Sequence, residues 1–248
     1  MSREVTLMIK GIIFDLNGTL IDILTDEWSD DVYRTTAFFL GYSGVMISPL
    51  ELRERYFLLN REQRRQSPET YPEFDVVKIF HDIIMSHRAM TEAEAGILAV
   101  ASAQVYRAAT LRNLQLYPGV KEVLAELKKT FKLAALSDGQ SAWALSELRM
   151  AGLDGFFDQA TVSGDLGFRK PDCRMFDLAL NELNLLPQEA VFVGNDMFRD
   201  IYGGKSAGLK TIFFRSNQGD RETRRAEPDY IIYNFYELPD AIAFLQNQ

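Results

Sequence analysis

The sequence predicts an α/β fold in which a doubly wound parallel sheet carries an inserted helical domain. From residue 117 onward, short apolar runs alternate with amphipathic helical stretches, which is typical of right-handed βαβ units. One further apolar run lies near the start of the chain, and residues 22–114 separate it from the others with helical patterns and few strand signals. The chain has 248 residues, 47% of them hydrophobic, which suffices for a sizeable core and a smaller second domain.

Four apolar runs predict buried strands. They are IKGIIFD (9–15), FKLAALSD (131–138), EAVFVGND (189–196) and LKTIFFRS (209–216). Continuous apolar runs of this kind are typical of parallel strands that are covered by helices on both faces. Apolar residues at helical spacing predict helices between them, over 119–130, 141–152 and 172–185.

The helical segment is predicted to be an insertion after the first strand. The proposed boundaries give a core of residues 1–21 and 115–248 and an inserted domain of residues 22–114. Pro118 and Gly119 mark the return of the chain to the core. Because ligands of open α/β sheets bind at the carboxyl ends of the strands, a domain rooted at that edge is expected to cover the site as a lid.

Polar residues follow the first two predicted strands. Asp15 ends the first strand, and a carboxylate there is suited to act as a nucleophile or as a metal ligand. Ser137 and Asp138 end the second strand, where a hydroxyl and the backbone amides at the start of a helix can bind an anion. Each of these features also occurs as an ordinary turn or helix cap.

Two later segments supply a cation and more oxygen ligands. Lys170 precedes Pro171 at a predicted helix start, where an ammonium group can hold a phosphoryl oxygen. Asn195 and Asp196 end the third predicted strand, and Asp200 follows four residues later. Oxygen ligands in this position suit Mg²⁺.

Taken in order, the segments FDLNGTL, LSDG, RKPD and VGNDMFRD resemble the four motifs of the haloacid dehalogenase (HAD) superfamily, most of whose members are phosphatases. The resemblance covers residues 9–21 and 115–245 and is weak in the inserted domain. It implies a Rossmann-like core with a helical cap, and a hydrolase that acts on a small phosphorylated compound.

The resemblance also implies roles for individual residues. Asp15 would attack phosphorus and form an aspartyl-phosphate, while Ser137, Asp138 and Lys170 would bind the phosphate. Mg²⁺ would bridge Asp15 and the substrate, with Asp196 preferred as the further ligand. The other expected metal contacts are the backbone carbonyl of Asn17 and the side chains of Asn195 and Asp200.

Asn17 departs from the family pattern, which has a second acid at this position. That acid protonates the leaving group, and general acid–base catalysis is worth roughly 10²–10⁴ in rate. Asn has no proton to give. Three alternatives stay open: an activated substrate such as an acyl-phosphate, another acid from the cap or the substrate, or a different chemistry, either metal-free 2-haloacid dehalogenation or binding without catalysis.

Composition narrows the range of partners and locations. The net charge of -8 argues against nucleic-acid binding, and no apolar run is long enough for a membrane helix. A single cysteine and a short, charged N-terminus lead us to expect a cytoplasmic protein. The sequence leaves open whether the protein is a monomer or a homodimer.

The cap contains a few further residues of interest. His81 or His87 could replace the missing acid, although a surface role is expected for both. Arg61, Arg64 and Arg65 could attract an anionic substrate, although a solvated helix face is the expected arrangement.

Overall fold

A six-stranded parallel sheet forms the centre of the protein, as seen in a computed structural model that describes residues 8–247. Its strand order is β5-β4-β1-β6-β7-β8. These strands are β1 (Gly11–Phe14), β4 (Lys132–Ser137), β5 (Gln159–Val162), β6 (Ala190–Gly194), β7 (Lys210–Phe214) and β8 (Tyr230–Ile232). The central position of β1 brings its carboxyl end between those of β4 and β6.

Helices cover both faces of this sheet. They are α5 (Val120–Leu127), α6 (Ser141–Met150), α7 (Cys173–Leu183), α8 (Gly203–Ser206) and α9 (Leu238–Gln246). In β1, Ile12 and Phe14 pack into the apolar cluster that includes α5 and α9, whereas Ile13 packs into the cluster that includes α7. All three residues are buried, which explains why this strand is apolar at successive positions.

The predicted fold class is confirmed by this architecture. All four predicted strands are present, each slightly shorter than its apolar run. The two edge strands of the sheet, β5 and β8, were not predicted. Half of β5 is exposed and β8 has only three residues, so neither has the long apolar run that identifies a central strand.

Four helices with a core of their own lie between β1 and β4. They are α1 (Asp30–Tyr42), α2 (Pro49–Gln66), α3 (Val76–His87) and α4 (Glu92–Thr110). An antiparallel ribbon, β2 (Ile21–Thr25) with β3 (Leu111–Leu116), joins this helical cap to the sheet. The ribbon was not predicted, and it crosses both proposed ends of the inserted domain, whose boundaries of 22 and 114 stay a prediction.

Polar contacts hold the cap against the core. Arg107 of α4 forms a two-point ion pair with Glu147 of α6, with N–O distances of 2.5 and 3.2 Å. The Gln140 side chain accepts from the backbone N–H of Val76 at 3.0 Å and donates to the carbonyl of Phe74 at 2.7 Å. These contacts place the segment before α3 on the loop that follows β4.

No helix within residues 8–247 is both long and apolar enough to cross a membrane.

Candidate active site

The carboxyl ends of β1, β4 and β6 meet at one edge of the sheet, and polar residues from three segments gather there. Asp15 follows β1, and its backbone N–H donates to the carbonyl of Val193 at 2.9 Å. Ser137 ends β4. Asn195 follows β6 directly. The register of the strands therefore brings together residues that are far apart in the sequence.

Lys170 is the centre of the charge cluster. Its Nζ donates to Asp15 Oδ1 at 2.6 Å, to Asp200 Oδ1 at 2.7 Å and to the Leu136 carbonyl at 3.3 Å. The Lys170 side chain is only 1% exposed. Burial alone would lower the pKa of Lys170, but the neighbouring carboxylates of Asp15, Asp200 and Asp138 outweigh it and raise that pKa above its ordinary value.

Thr19 links the first motif to the last. Its buried hydroxyl lies 2.9 Å from Asp15 Oδ2 and 3.0 Å from Asn195 Oδ1, and its single proton serves one of these acceptors at a time. Gly18 makes this approach possible: its φ is 85°, and a Cβ there would lie 2.3 Å from Asn195 Nδ2. The turn after β1 therefore presents Asp15 toward Asn195.

Asp200 reaches the same site from a π-type helical turn, Met197–Tyr202. Its Oδ2 accepts from the backbone N–H groups of Asn195 and Asp196, both at 3.0 Å. Burial and, after it, the charge of Asp15 raise the pKa of Asp200 to about 6, against the opposing effect of Lys170. Asp200 thus fixes the loop after β6 and shares Lys170 with Asp15.

Asp196 is directed differently from the predicted arrangement. Its Oδ1 caps the helical turn by accepting from the N–H groups of Phe198 and Arg199, and its Oδ2 accepts from the Arg199 guanidinium at 2.9–3.0 Å. Burial raises the pKa of Asp196, but Arg199 and the backbone donors outweigh it, so the pKa is lowered. Both oxygens of Asp196 are thus engaged by its own helical turn, so its role as the metal-bridging acid stays a prediction that this geometry does not favour.

Ser137 and Asp138 flank Lys170 on the β4 side. The buried Ser137 hydroxyl donates to no acceptor among residues 8–247. Asp138 Oδ1 accepts from the backbone N–H of Lys170 at 3.0 Å. Its buried Oδ2 has no hydrogen bond with the residues that the structure describes and lies 3.7 Å from Arg199. Burial raises the pKa of Asp138. Asp138 therefore positions Lys170 through its side chain.

One of the backbone amides after β4, that of Gly139, is engaged by a side chain of the core. The N–H of Gly139 donates to the Ser163 hydroxyl at 3.0 Å, and α6 begins only at Ser141. The Ser163 hydroxyl in turn lies 2.9 Å from the Glu73 carboxylate of the cap. The amide of Gly139 is thus engaged in a contact that leads to the cap.

Neither histidine of the cap takes the place of the acid that is missing at position 17. The ring of His81 lies 2.9 Å from Glu92, and that of His87 lies 3.1 Å from Glu51, so both bind carboxylates within the cap. Asn17 itself is partly buried, and its backbone carbonyl accepts no hydrogen bond from residues 8–247.

Sequence reasoning did not assign three residues of this site: Thr19, Arg199 and Glu73. Thr19 belongs to the first motif, and its spacing of four from Asp15 was a usable signal. Arg199 sits inside the last motif between two acids, where a cation was to be expected. Glu73 lies in a polar segment of the cap, and nothing local in the sequence shows that it reaches the core.

The residues present fit a divalent cation with oxygen ligands. The cluster contains more acids than cations: Asp15, Asp138, Asp196 and Asp200 against Lys170 and Arg199. Two negative charges therefore remain uncompensated when all six groups are ionised. Within residues 8–247 no three Asp, Glu, His or Cys side chains are grouped to hold a metal, so the remaining ligands would be carbonyl, amide and water oxygens, which Mg²⁺ accepts.

Comparison with known proteins identifies the family. The family model of the haloacid dehalogenase-like hydrolases matches residues 9–208 of the sequence, which include Asp15, Lys170 and Asp200. This is most of the chain. The chain belongs to the haloacid dehalogenase-like hydrolase family.

Relatives within the family match over nearly their whole length. A glyceraldehyde 3-phosphate phosphatase of Pyrococcus furiosus is 27% identical over 242 residues, which are 97% of this chain and 94% of the relative. A HAD phosphatase structure from Thermococcus onnurineus matches with a TM-score of 0.60 and 26% identity. The match covers 94% of this chain and 98% of the chain in that structure. The predicted phosphatase-like hydrolase of this superfamily is confirmed.

A dehalogenase structure is also similar. The 2-haloacid dehalogenase from Pseudomonas syringae pv. Tomato DC3000 matches with a TM-score of 0.67 and 25% identity. The match covers 96% of this chain and 99% of the dehalogenase chain. The fold is therefore common to phosphatases and dehalogenases, and the choice between them depends on the side chains of the site.

Replacing Lys170 tests the charge cluster directly. Lys170→Met leaves Asp15 and Asp200 buried without their cation, and we expect the free energy of unfolding to fall by roughly 3–5 kcal/mol near neutral pH. Lys170 opposes the rise in the pKa of Asp200, so without it that pKa would lie still further above the unfolded value of about 3.9, and stability is lost as pH rises. The deficit relative to wild type should be smaller at about pH 5 than at about pH 8, in urea titrations with EDTA.

Lys205→Met is the matched control. Lys205 pairs with Asp229 at 2.5 Å in a partly exposed position, and its loss should cost roughly 1 kcal/mol or less, with little change between the two pH values. An equal Lys170→Met deficit at both pH values would show that this lysine does not compensate the two acids.

Proposed function

We propose that this protein is a Mg²⁺-dependent phosphatase that hydrolyses small phosphorylated compounds through an aspartyl-phosphate on Asp15. The observation that carries the proposal is the Lys170 ammonium, which holds Asp15 at 2.6 Å and Asp200 at 2.7 Å in a buried site. Phosphatases among the relatives, matched over nearly the whole chain, support the same reaction class. We further propose a cytoplasmic location.

Asp15 is the proposed nucleophile. Its Oδ1 accepts from Lys170. Among residues 8–247 its Oδ2 accepts only from the Thr19 hydroxyl, which can turn to Asn195 instead. Oδ2 is therefore the oxygen that becomes available for attack on phosphorus. Lys170 orients the carboxylate, because its contact with Asp200 fixes the ammonium group. Its third N–H makes only a 3.3 Å contact to the Leu136 carbonyl and is the donor that can turn to a phosphoryl oxygen.

Ser137 and Lys170 are proposed to bind the phosphoryl oxygens. The Ser137 hydroxyl is buried beside the nucleophile and has no acceptor among the described residues, so a phosphoryl oxygen can take its proton in a hydrogen bond. Asp138 is proposed to act indirectly by holding the backbone of Lys170 at 3.0 Å.

The proposed magnesium ligands are Asp15, the carbonyl of Asn17 and the side chain of Asn195, with Asp200 behind Asn195 and Asp196 as a more distant acid. The ion supplies charge neutralisation for the phosphoryl group. Because Asp15 is the one carboxylate among the three direct ligands, we expect weak binding of Mg²⁺ without substrate.

Asn17 limits the substrates that this site can use. With no acid at position 17 and both histidines bound elsewhere in the cap, the leaving group must depart without a protein proton from these positions. Stable leaving anions, as in acyl- and aryl-phosphates, need no such proton. We therefore propose an activated phosphate, or a substrate that carries its own acid.

Metal-free 2-haloacid dehalogenation is the second candidate. Asn17 and Asn195 favour it, because a halide leaves without a proton and neither residue adds negative charge for a metal. The similarity to a dehalogenase structure fits this candidate as well. Against it stand the two uncompensated charges of the acid cluster, which a cation would balance.

A substrate panel separates the candidates. We expect purified protein to release phosphate from acetyl phosphate and p-nitrophenyl phosphate with Mg²⁺, and to lose this activity in EDTA. Chloride release from 2-chloropropionate that persists in EDTA would instead establish dehalogenation. Failure on all three compounds would favour a binding protein on an enzyme scaffold.

Asn17→Asp restores the second acid and should raise activity selectively. On an alkyl ester such as glycerol 3-phosphate we expect kcat/KM to rise by roughly 10²-fold, whereas acetyl phosphate, which needs no protonation, should change little. Asn17→Ala is the control and should raise kcat/KM on neither substrate. An unchanged or lower rate on the alkyl ester would show that Asn17 is not simply a missing acid.

A further inference from the structure

Two arginines meet where the cap touches the core. Arg64 lies in the last turn of α2, and Arg169 lies in the core loop directly before Lys170. Both reach the segment Tyr71–Phe74: the backbone N–H of Arg169 donates to the Tyr71 carbonyl at 3.0 Å, and the Arg64 guanidinium lies 5.0 Å from the centre of the Phe74 ring. The two residues therefore lie at the same short segment of the interface, Arg64 on the cap side and Arg169 on the core side.

The positive charge at this spot is not balanced. Arg64 reaches Glu73 at 3.5 Å, a long contact, and its buried Nε has no hydrogen-bond partner in the described part of the chain. The Arg169 side chain has no ion pair or hydrogen bond with residues 8–247. Glu73 uses its oxygens mainly for the N–H of Phe74 and the hydroxyl of Ser163. This part of the interface thus holds two arginines and one buried carboxylate, and the one ion pair that the described residues form there is the long contact between Arg64 and Glu73.

The electrostatic behaviour of these groups agrees with that arrangement. Burial, and after it the charge of Arg169, lowers the pKa of Arg64, whereas Glu73 and the more distant Glu27 oppose this effect. The charge of Arg169 thus disfavours the charged form of Arg64. An anion between them would relieve this repulsion and would satisfy the buried Nε.

We propose that Arg64 and Arg169 form a second anion subsite, which binds a carboxylate or second phosphate of the substrate while its reacting phosphate lies at Asp15. The proposal rests on the phosphatase function proposed above and narrows the substrates to phosphorylated compounds that carry a second acidic group. Arg169 is adjacent in sequence to Lys170, which contacts Asp15, so one short loop serves both ends of such a molecule. Arg64, which lies on α2, would add a contact from the cap to the second anion of the substrate.

A pair of substrates that differ only in the second anion tests this proposal. 3-Phosphoglycerate carries a carboxylate where glycerol 3-phosphate carries a hydroxymethyl group. We expect wild type to prefer 3-phosphoglycerate, and Arg64→Gln or Arg169→Gln to lower kcat/KM for it by roughly tenfold to hundredfold, chiefly through KM, while glycerol 3-phosphate changes less than about twofold. Fructose 1,6-bisphosphate against fructose 6-phosphate repeats the comparison with a second phosphate.

Arg65→Gln is the matched control, because Arg65 neighbours Arg64 on α2 but is exposed and has no ion pair within the described chain. It should leave both preferences unchanged. Arg64→Lys keeps the charge but loses the fork of donors, and should recover part of the preference. Equal losses on acidic and neutral substrates would assign the arginines a structural role and overturn the subsite.

A binding measurement distinguishes this failure from failure of the phosphatase proposal. Calorimetric titration of 3-phosphoglycerate and glycerol 3-phosphate into Asp15→Asn protein needs no turnover. We expect tighter binding of 3-phosphoglycerate, and its loss when Arg64→Gln is added. Equal affinities would overturn the subsite even if the enzyme is active, whereas absence of turnover by wild type with the expected binding difference would contradict only the phosphatase proposal.

Discussion

The buried ammonium of Lys170 is the interaction on which the rest of the site depends. The side chain of Lys170 is only 1% exposed, and its charge is stabilised there because Asp15 and Asp200 accept hydrogen bonds from it. The two buried carboxylates are stabilised in turn because the ammonium group lies between them. The contact also joins three separate parts of the chain: the turn after β1, the loop before α7 and the helical turn after β6. The parallel sheet is what brings these ends together.

The cap is tied to this cluster through the polar segment before α3. Glu73 reaches Ser163, Ser163 reaches the amide after β4, and Gln140 holds the start of α3. Two of these hydrogen bonds join a cap residue to a core loop next to the charge cluster. The third, from Gly139 to Ser163, lies within the core. The cap is therefore hydrogen-bonded to the same core loops that carry Ser137 and Lys170.

The sequence predicted the features that depend on local pattern. Central strands such as β1 and β6 are buried on both faces, so their apolar runs are unmistakable, and the residues that follow them had to meet at the carboxyl edge. The direction of a side chain after the strand is not readable in this way. Asp196 turns back to cap its own helix, while Asp200, one helical turn later, enters the site. Contacts between cap and core, such as that of Glu73, depend on how two separate cores pack, for which the sequence holds no local signal.

Capture of the covalent intermediate tests the central claim most directly. Wild-type protein is mixed with acetyl phosphate and Mg²⁺, quenched in acid within a single turnover, digested and examined by mass spectrometry. The account predicts that the peptide with Asp15 gains the mass of one phosphoryl group on that aspartate, and that Asp15→Asn protein gains none. Phosphate release without any phosphoryl group on Asp15, or with the group on Ser137 instead, would contradict it.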